Sequence, residues 1–103
     1  MKKIRYTLLV LLILIGIGFT GFGYIQYKKS NVEDSVIKYL TTEKNLSKKD
    51  ITSSKPFIAN LKGDKNWMVS IKLKNDNKTY FYYKSNNKII LESYTEDGVE
   101  HAP

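Results

Sequence analysis

The chain has 103 residues, no Cys and a formal net charge of +7. Without Cys, disulfide staples, thiol nucleophiles, thiolate metal sites and lipoprotein acylation are all excluded. The N-terminal stub holds three of the 17 basic residues and no acid, so the rest of the chain carries about +4.

Residues 7–26 contain no charged side chain, and residues 8–15 are apolar without interruption. A hydrocarbon core of roughly 30 Å needs about 20 such residues in a helix, so residues 6–27 are predicted to be a transmembrane signal anchor in contact with the lipid bilayer. Lys2, Lys3 and Arg5, with the α-amino group, stand before the run, and Lys28 and Lys29 stand after it. The positive-inside rule makes residues 1–5 a short cytoplasmic stub and puts residues 28–103 outside the cell. On that topology nucleic acid is not an expected partner. A cleavable signal peptide is the competing reading. It needs small residues at the cleavage site, for which Gly21 and Gly23 are available, but apolar character continues through Tyr24, Ile25 and Tyr27. Gly16, Thr20 and Gly23 fall near one helical face and form a candidate helix–helix contact in the membrane.

Ser30 followed by Glu33 has the capping-box spacing, with Asp34 as a second acid, which predicts that a helix starts or restarts here. Val32, Val36, Ile37 and Leu40 recur on one face, so the helix is amphipathic, and it is expected to end near Asn45. Ser47 and Asp50 repeat the Ser-x-x-acid spacing around a single turn that leads into a sheet.

Beyond Ile51 the period changes from helical to alternating. A less regular strand is expected around residues 57–61, with Pro56 at its start or on an edge. After a Gly63-Asp64 turn, Trp67, Val69, Ile71 and Leu73 alternate with Met68, Ser70, Lys72 and Lys74, the pattern of a strand buried on one side. Residues 79–84 form the next strand, with Phe81 and Tyr83 assigned to the helix side and Tyr80 and Tyr82 to the other. Residues 88–95 follow, with Ile89 and Leu91 on the face opposite Ile90, Glu92 and Tyr94. Asn75-Asp76-Asn77 and Asn86-Asn87 tolerate positive φ and are predicted to close hairpins. Residues 96–103 read as a flexible tail.

The predicted architecture is α+β: an N-terminal transmembrane helix, then an amphipathic helix packed on a four-stranded antiparallel meander, in outline like the cystatin-like and PepSY-type modules. The expected core is Val32, Val36, Leu40, Ile58, Val69, Ile71, Phe81, Tyr83, Ile89 and Leu91.

No catalytic, cofactor or metal motif emerges. The only His, His101, is three residues from the end, and the acid pairs Glu33/Asp34 and Glu96/Asp97 have plainer places at a helix start and a turn. Gly63 and Gly98 are isolated turn glycines, not a phosphate loop. The expectation is a non-enzymatic domain without a cofactor. Its candidate partner face is Tyr80, Tyr82 and Tyr94 beside Lys72, Lys74 and Lys84, where exposed tyrosines and cations suit stacking on sugars or gripping a peptide of a membrane or envelope protein. An edge strand offers a second mode, β-augmentation.

The apolar anchor, Tyr39-Leu40-Thr41-Thr42-Glu43-Lys44, Ser47-Lys48-Lys49-Asp50-Ile51 and Tyr80-Phe81-Tyr82-Tyr83 together make the chain resemble the domain of unknown function 3139 family, small membrane-anchored proteins of Gram-positive Firmicutes. The resemblance implies the anchored architecture and brings no activity, cofactor or site residues. A membrane helix running into a helix capped by a sheet is also the shape of type IV pilins and pseudopilins. Those carry Gly before their cleavage point and Glu at the fifth mature position, where this chain has Arg5 and Val10.

Overall fold

The computed structural model describes residues 2–103, side chains of Lys2, Lys3, Ile4 and Phe19 apart. Of the charges read as the cytoplasmic stub, only that of Arg5 falls within the described groups. A single helix, α1 (Lys2–Thr42), is followed by a 3₁₀ turn (Lys48–Asp50) and five strands: β1 (Ile51–Ile58), β2 (Trp67–Leu73), β3 (Lys78–Ser85), β4 (Lys88–Glu96) and β5 (Val99–His101). They form one antiparallel sheet in chain order. At about 1.5 Å per residue the 41 residues of α1 span some 62 Å, which accounts for nearly all of the molecule's 66 Å length.

α1 does not restart at Ser30. The helix runs through without a Gly or Pro between Tyr24 and Thr42 to break it, so each backbone N–H in this stretch already has its carbonyl four residues back and no cap is needed. Glu33 instead accepts a hydrogen bond from Ser54 Oγ of β1 at 2.8 Å, tying helix to sheet. The helix ends at Thr42, three residues before the predicted stop. Asn45 then adopts positive φ, which turns the chain so that Leu46 N–H reaches the Leu40 carbonyl at 3.1 Å and the Leu46 side chain joins the core. The second Ser-x-x-Asp does form a capping box: Ser47 Oγ accepts from Lys49 N–H, and Asp50 accepts from Ser47 N–H at 2.9 Å.

Val32, Val36 and Leu40 of α1 are buried against Val69 and Ile71 of β2 and Tyr82 of β3, with Trp67, Tyr80, Ile89 and Leu91 packed around them. This corrects the predicted faces of β3. Val69 pairs with Tyr82 and Ile71 with Tyr80, so Tyr80 and Tyr82 share the helix side, while Phe81 and Tyr83 lie on the opposite face and Ile58 is 38% exposed. Ile37 is only half-buried and borders a groove. In β4, Glu92 is an extra residue, since Phe81 pairs with Ser93 but Tyr82 with Leu91. This bulge resets the alternation and brings Tyr94 round to the side of Ile89 and Leu91, away from Ile90.

The sheet has five strands, not four. Asp97 and Gly98 both take positive φ, closing a two-residue hairpin that returns part of the supposed tail as β5. β1 starts earlier than predicted, so Pro56 sits within it, as an edge strand permits.

Candidate binding surfaces

Of the six residues expected to form one partner face, Tyr80, Tyr82 and Tyr94 stay together but on the helix side, with Lys84 turned the same way, while Lys72 and Lys74 lie elsewhere. Tyr82 is 9% exposed, and its ring lies 6.2 Å from Tyr39 of α1. From Tyr82 the aromatic series continues across the sheet through Tyr80 (6.4 Å) and Tyr94 (6.2 Å) to His101 of β5, stacked at 5.1 Å. Lys84 also turns to the helix and donates to Ser35 Oγ at 3.1 Å. Lys72 is exposed on the strand position next to buried Ile71, hence on the opposite face, while Lys74 lies in the turn after β2, its N–H bonded to the Asp50 carbonyl. The tyrosine series is therefore a packing element that extends the core past the end of the helix.

Its ionisation follows from that role. Asp76, in the β2–β3 turn, accepts from Lys78 N–H at 2.9 Å and from Tyr80 Oη at 2.7 Å. The backbone donor first, and the tyrosine second, hold its carboxyl below the usual range. Donating to that carboxylate, with some burial, pushes Tyr80 up to about 12, and burial raises Tyr82.

The face turned away from α1 carries Phe81 and Tyr83, which sequence placed in the core, together with Phe57 and Met68, which it did not. Phe57 and Phe81 meet edge to face at 6.0 Å over buried Met68. Lys65 lies 5.8 Å above the Tyr83 ring and pairs with Glu92 at 3.2 Å. A shallow hollow of about 260 Å³ lies here, with Phe57, Leu61, Met68 and Phe81 as its apolar lining and Glu92 and Glu100 among its polar groups. That is below the roughly 300–1,000 Å³ of small-molecule sites and suits an inserted side chain better than a cofactor.

Two of the grooves beside the helix have a simple geometric cause. A helix about 10 Å across cannot cover five strands spaced about 4.8 Å apart. One groove, of about 590 Å³, runs between α1 and β1 beside Asp34, Ile37 and Ser54. The other, of about 640 Å³, lies between α1 and the β3–β4 hairpin beside Tyr39, Lys84 and Ile89.

In the apolar half of α1, Thr20 Oγ1 donates to the Gly16 carbonyl at 2.8 Å, and nothing lies within 4 Å of where a Cβ on Gly16 or Gly23 would be. The predicted stripe is thus open along the helix. By length and composition this helix suits a membrane span and a signal sequence alike, and its most apolar window is not buried in the domain. Among the described residues no group of three or more His, Asp or Glu is placed to hold a metal ion.

The grouping that sequence reasoning missed is Phe57, Met68, Phe81 and Tyr83. Asn86-Asn87 was the available sign: a two-residue hairpin pairs Ser85 with Lys88, and counting back sets Tyr82 opposite Leu91. No protein-family model, no curated protein and no solved structure matches the chain.

Proposed function

We propose that this chain is a single-pass membrane protein, N-terminus cytoplasmic, that holds a small non-enzymatic binding domain at the outer surface of the cell. Another membrane or envelope protein meets that domain on the sheet face bearing Phe57, Phe81 and Tyr83. The observation that carries the reading is the division of α1: one uninterrupted helix leaves its charge-free half unburied and packs its other half beneath the sheet. A helix that is apolar all round belongs in lipid, whereas one with an apolar stripe belongs on a domain.

Photo-crosslinking in intact cells tests it, with membrane association assayed by alkaline carbonate extraction. The expected result is an unextracted, full-length chain whose photoreactive residue at Phe81 forms a discrete protein adduct that the same residue at Lys48 does not. A soluble chain with a mature N-terminus near Tyr24 identifies the secreted alternative and overturns the anchor. Equal adducts at both positions overturn the face.

The unbroken helix also favours a second reading, a pseudopilin-like assembly component. Arg5 and Val10 stand against it. It requires self-association through the span, so Gly16→Ile or Gly23→Ile would abolish oligomer crosslinks in membranes; unchanged crosslinks exclude that route.

A further inference from the structure

The end of the domain nearest the span carries its own surface. Contacts between helix and sheet run in register along α1: Tyr24 meets Trp67, Ser35 meets Lys84, and Tyr39 meets Tyr82. The strand ends at Trp67 and Ile58, which pair with each other, therefore point toward the N-terminal half of the helix, and the loop joining them turns there. Tyr24 and Trp67 are edge to face at 6.3 Å, so they share one depth. If residues 6–27 cross the bilayer, that depth is the outer interface, where Trp and Tyr concentrate. Trp67 is fixed at that level by packing against the core. Ile58, paired with Trp67, is 38% exposed, and Leu61 in the following loop is 46% exposed at the edge of the open-face hollow. Lys28, Lys29 and Lys62 outnumber Asp64, which lines a hollow with Lys28 and Trp67 and accepts from Ser85 Oγ.

Resting on the single-pass reading above, we propose that this end is a lipid-contact surface. Trp67, Ile58 and Leu61 enter the interfacial zone of the outer leaflet, and Lys28, Lys29 and Lys62 take the phosphate-bearing headgroups of anionic lipids. The loop forms a second foot beside the helix, so the domain stands at a fixed tilt and the open sheet face looks sideways along the membrane. Continuity with the span and the sign of the charge select lipid as the occupant.

Trp67 is the only Trp in the chain, so its fluorescence reports one position. The test uses the full chain reconstituted in phosphatidylcholine vesicles with and without phosphatidylglycerol, the acyl chains brominated either near the headgroup or near the chain end. Shallow bromine is expected to quench Trp67 about twofold more than deep bromine, with protection from acrylamide. Leu61→Asp should weaken the shallow quenching with circular dichroism unchanged, and Lys62→Glu should lower the increment due to phosphatidylglycerol, with Lys28 and Lys29 supplying what remains. Trp67 open to acrylamide and untouched by either bromolipid, in a chain that resists carbonate extraction, overturns the lipid contact while leaving the span intact. Release of the chain by carbonate overturns both.

Discussion

The two halves of α1 are one helix by hydrogen bonding and two different objects by solvent. Leu12 is 65% exposed and its apolar neighbours in 8–15 at least half so, whereas Val36, on the same helix, is 0% exposed. In the first half apolar residues occupy every angle around the axis. In the second they occupy the stripe Val32, Val36 and Leu40, with Asp34 and Lys38 turned out. The difference teaches that helix formation is not what distinguishes them. What differs is how each apolar surface is laid out, around the whole circumference, as suits a membrane span or a signal sequence, or along one side, where the sheet covers it.

Making the same substitution in each half separates the two layouts. Leu40→Ala removes a side chain that is 2% exposed within the helix–sheet core, and should cost the domain about 2–5 kcal/mol. Leu12→Ala, which touches no part of the domain, should leave denaturant unfolding monitored by tyrosine signals unchanged. Equal losses at both sites would break the comparison. Leu12→Lys probes the proposed span: a charge at its centre should disfavour membrane insertion by about 3 kcal/mol and shift the chain into the carbonate-soluble fraction, with the sheet domain still folded.

Where the physics is local, the residues state it openly. The charge-free run, the Val32–Val36–Leu40 stripe, the alternation from Trp67 to Leu73 and the Ser47–Asp50 turn all carry their structure in spacing alone. The faces of β3 do not, because Tyr80, Phe81, Tyr82 and Tyr83 place an aromatic ring on both sides and no period distinguishes them. Pairing across the Asn86-Asn87 hairpin decides it, and the bulge at Glu92 then moves Tyr94, a displacement that only the partner strand defines. The candidate site was lost with the faces, since it was built on which tyrosines were free. Asp97-Gly98, by contrast, was a legible hairpin sign, hidden by reading residues 96–103 as a tail.

The smallest expected effect concerns how the core extends past the end of the helix, where Tyr80 leans on Asp76 instead of on α1. Tyr80→Phe keeps the ring in the aromatic series but removes the hydroxyl that Asp76 accepts, for a loss of about 1 kcal/mol at neutral pH. The pH dependence gives this a sign. Tyr80 is raised in the folded state from 10.0 to about 12, so the stability it contributes is present below pH 10 and is lost as pH rises through that window, where the unfolded chain ionises first. Asp76 is lowered, so its contribution is present above its ordinary value and fades as pH falls through the acid range. Alkaline unfolding of Tyr80→Phe should therefore be shallower between pH 10 and 12 than that of the parent chain, and its acid limb should shift as well, because Asp76 has lost one of the two donors that depress it. If only the alkaline limb changes, the backbone N–H of Lys78 alone sets Asp76, and the tyrosine is held in place by packing with Tyr82 and Tyr94.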